Sequence, residues 1–248
     1  MNNLTIEEKI EKTVEWIRKK VNESGTKGIL VGLSGGIDSS VVAFLLKKAF
    51  PENSLGVILP CKSNDIDKED ALKVAKKANI KFTEVDLTEV HSMLYGGIRE
   101  SLKDLDTVNH RLSDANLRAR LRMSTLYGIA NNLGYLVAGT DNAAEVYTGY
   151  FTKYGDGGVD IIPIANITKR EVYEWAKVLG VPESVIVRPP SAGLWEGQTD
   201  EKEMGTTYDM IDDLIEGKII PEEDRKIIES LHNRSNHKRE MPPKPPIF

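Results

Sequence analysis

The chain has a single cysteine, Cys61, among 248 residues, so no intrachain disulfide can hold it together. A lone thiol fits a reducing, cytoplasmic setting. No apolar run approaches the roughly 20 residues that a membrane span needs, so no membrane partner is expected. Met1-Asn2-Asn3-Leu4-Thr5 lacks the basic-then-apolar order of a signal peptide. Positive charge is not in excess: the formal net charge is −5, which argues against a surface built for nucleic acid. No Cys/His cluster suggests zinc, no Gly-x-Ser-x-Gly suggests a nucleophile elbow, and His91, His110 and His232 stand in unremarkable surroundings. Internal repeats and clear linkers are missing too, so residues 1–248 read as one domain with a sizeable core.

What is present centres on Gly28-Ile29-Leu30-Val31-Gly32-Leu33-Ser34-Gly35-Gly36-Ile37-Asp38-Ser39-Ser40. Ile29 to Leu33 is a short apolar run of the kind buried on both faces of a sheet. Val41 to Ala49 continues as an apolar helix that stops before Pro51. Between them, Ser34, Gly35, Gly36, Asp38 and Ser39 are small or polar. A strand that feeds a helix through such a turn is an anion site, because glycine admits close approach and the helix start offers unpaired N–H groups. It is neither a Walker A loop nor Gly-x-Gly-x-x-Gly, since no Gly-Lys-Ser/Thr follows and the glycines are adjacent. Asp38 instead places an acid where phosphate should sit, which makes electrostatic sense with Mg2+ between them. Taken singly, Gly35-Gly36 would suit a tight turn and Asp38 a helix-start acid.

The remaining pattern alternates. A helix over Thr5–Asn22 opens with a capping box from Thr5 and Glu8, with Ile6, Ile10, Val14, Trp16, Ile17 and Val21 as its apolar stripe. Strands are expected at Ser54–Leu59, Lys81–Leu87 and Tyr135–Ala138, with helices at Asp67–Ala78, Ala115–Asn131 and Thr168–Leu179. Leu87–Arg111 reads as one or two short helices with a mobile connection, and Asp104–His110 carries no signal. Asp141–Pro163 has no sustained period, yet mixes Tyr147, Tyr150, Phe151 and Tyr154 with several glycines, as functional loops do. Helix is also expected in part of Lys202–Glu216 and over Glu222–Asn233. This order predicts an α/β fold, a doubly wound parallel sheet of about five strands with helices on both faces. If strand four lies beside strand one, Thr140 shares a crevice with the Ser34–Ser39 loop.

Ser34-Gly35-Gly36-Ile37-Asp38-Ser39 resembles the Ser-Gly-Gly-x-Asp-Ser loop of the N-type ATP pyrophosphatases, which cleave ATP between its α and β phosphates and adenylate a substrate oxygen. Further stretches resemble the NAD+ synthetases: Gly139-Thr140-Asp141-Asn142-Ala143-Ala144-Glu145, Phe151-Thr152-Lys153-Tyr154-Gly155-Asp156-Gly157-Gly158-Val159-Asp160, Ile167-Thr168-Lys169-Arg170, Pro190-Ser191-Ala192-Gly193-Leu194-Trp195-Glu196-Gly197-Gln198-Thr199-Asp200-Glu201 and His237-Lys238-Arg239. The likeness runs through nearly the whole chain. It implies an adenine nucleotide alpha hydrolase-like fold, a homodimer, and MgATP-driven adenylation of the nicotinate carboxylate of deamido-NAD+, with ammonia then displacing AMP. Glutamine-using members carry a glutaminase domain, which this length cannot hold, so the ammonia-dependent form is implied. The apolar positions of the Ala115–Asn131 helix would suit packing against a second copy.

The resemblance also carries roles over to matching residues. Gly32, Leu33, Ser34, Gly35, Gly36, Ile37, Asp38, Ser39, Thr140, Lys169 and Ser191 match ATP-binding positions. Many members have Thr at Ser191, and the hydroxyl is kept. Asp38 and Glu145 match Mg2+ ligands; Asp141 precedes Glu145 by one helical turn and its role stays open. Arg120, Lys153 and Asp160 match deamido-NAD+ contacts, although position alone would not choose Arg120 over Arg118 or Arg122. His237 and Lys238 match a mobile segment that closes over the phosphates and substrate, and with Asp38 and Lys169 they complete the implied catalytic set; alone they would read as a solvated basic tail. Tyr147 and Phe151 suit either stacking on nicotinate or ordinary packing. Two competing readings are another adenylating synthetase, acting on a base or tRNA, and a non-catalytic ATP-binding regulatory domain.

Overall fold

The computed structural model describes residues 4–105, 107–190 and 199–247. In chain order the elements are α1 (Ile6–Ser24), β1 (Gly28–Gly32), α2 (Ile37–Ala49), β2 (Ser54–Ile58), α3 (Asp65–Ala78), β3 (Lys81–Glu84), α4 (Thr88–Ser101), α5 (His110–Leu133), β4 (Tyr135–Ala138), α6 (Ala143–Thr148), α7 (Lys169–Leu179), α8 (Glu183–Ile186), α9 (Asp200–Met204), α10 (Tyr208–Ile215), α11 (Glu222–Arg234) and α12 (Asn236–Arg239). The strands are all parallel and run in the order β3-β2-β1-β4. Ile29 pairs with Ser54 on one side and with Leu136 on the other, so β1 is central. The order reverses between β1 and β4, and that reversal opens a crevice at the carboxyl ends of the strands.

Alternation along β1 explains the layers. Ile29, Leu30 and Val31 are all fully buried. Ile29 and Val31 face a cluster with Val14 and Ile17 of α1, Val41 and Leu45 of α2, Val74 of α3 and Trp175 of α7. Leu30 faces the opposite side, with Val57, Val137, Leu87 and the α5 residues Leu121, Leu126 and Ala130. A third cluster joins Ala144 of α6, Met204 of α9, Tyr208 and Ile211 of α10, and Ile228 and Leu231 of α11. It buttresses the end of the sheet where the crevice lies.

The described sheet has four strands where about five were expected; beyond β4 there is only a bridge from Ala138 to Ile161, supported by Gly139 N–H donating to the Ile161 carbonyl at 2.8 Å. Pro163 follows two residues later and has no N–H to continue the ladder. Leu87–Arg111 holds one regular helix, α4, rather than short pieces. Its Val90, Met93 and Leu94 are exposed and Gly96-Gly97 interrupt the pattern, so no buried stripe advertises it. Both termini of α5 extend past the expected Ala115–Asn131, and Asn109 is its N-cap. Trp16 leaves the α1 stripe and is exposed, while Trp175 is the largest fully buried side chain among the described residues. His91 proves far from unremarkable: it is fully buried, stacked on Tyr95, with Nε2 3.3 Å from Asp114 Oδ1. Among the described residues, no helix is long and apolar enough to cross a membrane.

Candidate active site

The glycine loop begins where β1 ends. Gly35 has φ +81°, and a Cβ there would lie 2.3 Å from the Asp67 carbonyl oxygen, so the position requires glycine. Ser34 and Ser39 tie the turn together: their hydroxyls are 3.0 Å apart, and Ser39 Oγ donates to the Gly36 carbonyl at 3.0 Å. The Gly36 N–H donates to Ser34 Oγ at 3.2 Å, so this amide, expected to face phosphate, is engaged within the loop. The first bond of α2 is Ser40 N–H to the Gly36 carbonyl, so the earlier N–H groups of the helix have no intrahelical acceptor.

A cleft of about 630 Å³ opens at the carboxyl ends of β1, β2 and β4. Gly32, Leu33, Ser34, Gly36, Ile37, Asp38, Ser39, Thr140, Glu145 and Lys169 all wall it, so the loop and the far end of β4 share the crevice as expected. Gly35 backs the loop against Asp67. The cleft also takes in Arg122, whose Nε donates to the Leu59 carbonyl at 3.0 Å and whose guanidinium reaches Ser63 Oγ at 3.1 Å.

At one end of the cleft lies a compact charge cluster. Lys169 Nζ donates to Asp38 Oδ2 at 2.5 Å and lies 3.9 Å from Glu145 Oε1. Asn142 Nδ2 donates to Asp38 Oδ1 at 2.9 Å. Asn142 also caps α6 in a reciprocal box with Glu145, which holds Glu145 Oε2 on the Asn142 N–H at 3.0 Å. Lys169 is the first residue of α7, where the helix dipole disfavours a cation. Two carboxylates offset this. Asp212, fully buried, accepts from the N–H groups of Lys169 and Arg170 at 3.1 and 2.8 Å, and Asp38 meets the ammonium.

The electrostatics follow from burial. Lys169 is 3% exposed. Burial alone would lower its pKa, but Asp38 and Glu145 outweigh that and raise it, so the ammonium stays charged. Burial, with the Asp38 charge beside it, pushes Glu145 up to about 8. Asp141 is raised well above the usual carboxylate range by burial and by Asp156, Glu145 and Asp38. It lies before the Asn142 cap, so it shares the cleft with Glu145 but not a helix face.

The residues matched to deamido-NAD+ form a second group beside the cleft rather than in its wall. Arg120 donates to the Lys153 carbonyl at 3.3 Å, and Lys153 Nζ donates to the His237 carbonyl. Lys238 Nζ reaches the carbonyls of Gly149 and Phe151 at 2.7 and 2.6 Å. Asp160 stands apart, accepting from Tyr127 Oη at 3.0 Å and from the Val137 N–H at 2.7 Å. Tyr147 stacks on His232 and Phe151 lies under Lys238, so both aromatics are packed. Ser191 lies outside the described residues. Sequence reasoning missed Asn142, Arg122 and Tyr208. The Asn142-x-x-Glu145 spacing was a visible capping signal, whereas nothing near Tyr208 ties it to a residue 63 positions earlier.

The chain is similar to known proteins along nearly its whole length. A sequence profile described as NAD synthase matches residues 9–242. The NH(3)-dependent NAD(+) synthetase of Alkaliphilus oremlandii is 60% identical over 98% of this chain and 98% of its own length. Its counterpart from Alkaliphilus metalliredigens is 62% identical over 96% of this chain and 98% of its own. A solved NMN synthetase from Francisella tularensis superposes with a TM-score of 0.91 at 38% identity, covering 99% of this chain and 100% of that one. These matches span almost the full cleft and both groups of charged residues, and on them the chain belongs to the NAD synthase family.

Proposed function

We infer that this protein is an ammonia-dependent NAD+ synthetase, an ATP-consuming ligase that forms a carbon–nitrogen bond. A carboxylate does not exchange oxygen for nitrogen unaided, because oxide is a poor leaving group. In the first step a carboxylate oxygen of deamido-NAD+ attacks the α-phosphorus of ATP and pyrophosphate leaves. In the second, ammonia attacks the acyl carbon, AMP departs with that oxygen, and nitrogen sheds a proton. What carries this reading is the placement of Asp38, Glu145 and Lys169 at one end of a cleft whose wall includes the glycine loop.

The barrier to the first step is mainly charge, since a carboxylate must approach a polyphosphate. We assign Gly32, Leu33, Ser34, Gly35, Gly36, Ile37, Ser39, Thr140 and Ser191 to ATP, with Lys169 as the fixed cation that meets its phosphates. Asp38 and Glu145 suit Mg2+. Both offer hard oxygen donors, and Lys169 already supplies positive charge beside them. Two carboxylates, rather than a full protein cage, fit an ion that keeps water and shares phosphate oxygens. When bound, Mg2+ would neutralise charge developing on the phosphates. Arg120, Lys153, Asp160, His237 and Lys238 are assigned to deamido-NAD+, with Lys238 holding the Gly149–Phe151 backbone in place.

The likeness to an NMN synthetase favours one variation, a mononucleotide acceptor carrying the same nicotinate carboxylate. Homodimerisation is also proposed. Of the Ala115–Asn131 positions expected to meet a partner, Leu121, Leu126 and Ala130 pack inward on the sheet; α4, the start of α5 and the segment between them instead expose Met93 by 80%, Leu112 by 53% and Val108 by 88%, apolar surface that a second copy would cover. Ammonia use is supported by the two Alkaliphilus relatives, both NH(3)-dependent NAD(+) synthetases matched over 98% of their own length. A cytoplasmic location suits buried, reduced Cys61.

The test is an endpoint assay with ATP, Mg2+, ammonium and either deamido-NAD+ or nicotinate mononucleotide. Equal yields of AMP, pyrophosphate and NAD+ are expected with deamido-NAD+, and glutamine should not replace ammonium. Amidation of the mononucleotide alone would shift the acceptor. ATP binding without cleavage would favour a regulatory domain instead.

A further inference from the structure

Tyr208 is not among the residues assigned above, yet it touches both signs of charge in the cluster. Its hydroxyl lies 3.1 Å from Glu145 Oε1 and 3.0 Å from Asp200 Oδ2. Its ring lies against the Lys169 ammonium, with 4.7 Å between Nζ and the ring centroid. The residue is 5% exposed and lies behind the described wall of the cleft, lining instead a smaller neighbouring pocket that it shares with Lys169. Its backbone is well fixed. It opens α10 behind the Thr207 cap and packs in the apolar cluster of Ala144, Met204 and Ile211.

The geometry points to Tyr208 as the positioning residue of the cation site: its hydroxyl holds the Glu145 carboxylate and its ring steadies the Lys169 ammonium. Glu145 is then gripped at both oxygens, Oε2 by the Asn142 N–H and Oε1 by the phenol. Without the phenol, Oε1 would be free to turn away from Asp38 and Lys169. The single phenolic proton has two acceptors in reach, Glu145 and Asp200, and Asp200 also accepts from Tyr150 Oη at 3.3 Å. Tyr150 Oη has a closer acceptor in Glu203 Oε2 at 2.7 Å, so Glu145 and Asp200 share the Tyr208 proton. The ring–ammonium contact adds cation–π attraction in a site with little water. Hydrogen-bond partners that orient a metal-binding carboxylate govern its affinity, and their loss commonly costs about 10–100-fold.

This inference rests on Asp38 and Glu145 being cation ligands, and the experiment separates the two claims. Mn2+ binding is titrated by electron paramagnetic resonance with ATP present and deamido-NAD+ absent, so that no turnover is needed. Wild type, Glu145→Gln, Tyr208→Phe and Tyr150→Phe are compared, each with its melting temperature. Tyr208→Phe keeps the ring and should weaken Mn2+ about tenfold while melting close to wild type. Tyr150→Phe removes a hydroxyl shared by Glu203 and Asp200 and sets the baseline for indirect effects. Wild-type Mn2+ affinity in Glu145→Gln would overturn the ligand assignment itself. A weakened Glu145→Gln beside an unaffected Tyr208→Phe would overturn the role of Tyr208 alone. Equal losses in Tyr208→Phe and Tyr150→Phe would also overturn it, because the effect would then run through Asp200.

Discussion

Two groups of charged side chains flank this cleft, and they are built in opposite ways. Around Asp38 the pairing is side chain to side chain and shielded from water: Lys169 is 3% exposed and Asn142 fully buried. Around Lys153 and Lys238 the cations reach main-chain carbonyls, of His237, Gly149 and Phe151, and His237 itself is exposed. The first group stores charge in a low-dielectric setting before any ligand arrives, so each member is electrostatically tied to the others. The second group shapes backbone near the surface, where a lost contact is replaced by water. On the proposed function, the first group would offset polyphosphate charge and the second would recruit the second substrate.

Substitutions should separate the groups. Asp38→Asn should lower turnover by about 10³-fold while shifting the melting temperature by only a few degrees, as read from steady-state rates across Mg2+ concentrations and from calorimetry. Wild-type rates at limiting Mg2+ would remove Asp38 from the cation site. Lys169→Met should cost about 10²-fold in turnover. It also leaves Asp38 and Glu145 without their cation, so Mn2+ binding in the absence of ATP should tighten. Weaker nucleotide-free Mn2+ binding in that variant would mean Lys169 supports the metal rather than standing in for it.

The surface group should respond more mildly. His237→Ala and Lys238→Ala should leave ATP binding nearly intact and slow single-turnover AMP formation, about tenfold for Lys238, which loses two charge-assisted bonds. Unchanged AMP formation in both would reduce the group to a structural tail. The smallest effect is one of pH. Glu145 is raised to about 8, so the folded protein keeps a proton that the unfolded chain releases near the ordinary carboxylate value. Stability from this residue is therefore full at low pH and is lost as pH rises toward 8. Glu145→Gln carries no such proton, so its ligand-free melting temperature should decline less between pH 6 and 9 than the wild-type value. A parallel decline in both proteins would contradict the shift.

Much of this contrast was legible in the sequence, and for physical reasons. The loop after β1 announces itself because adjacent glycines, serines and an acid at a strand–helix junction have few other uses. The parallel sheet follows from alternating buried runs such as Ile29–Val31, which are apolar at every position. Where a segment carries its apolar residues outward, as α4 does with Met93 and Leu94, periodicity gives no inward stripe to read. The expected count of about five strands exceeded the four that pair, because the count came from the fold pattern and not from a located run; Asp160-Ile161-Ile162 adds one bridge before Pro163. Asp38 was legible in the loop itself and Glu145 and Lys169 through family resemblance, while Tyr208 was not. Its partners lie on α6 and α7, and only the third apolar cluster brings α10 to them. Contacts between distant elements leave no local mark in composition or spacing.

The most direct test of the adenylation site uses deamido-NAD+ labelled with oxygen-18 in the nicotinate carboxylate, followed by mass spectrometry of the products. If the carboxylate attacks the α-phosphorus within the Asp38–Lys169 cleft, one labelled oxygen leaves in AMP and pyrophosphate stays unlabelled. Label in pyrophosphate, or AMP free of label alongside full conversion to NAD+, would contradict the account.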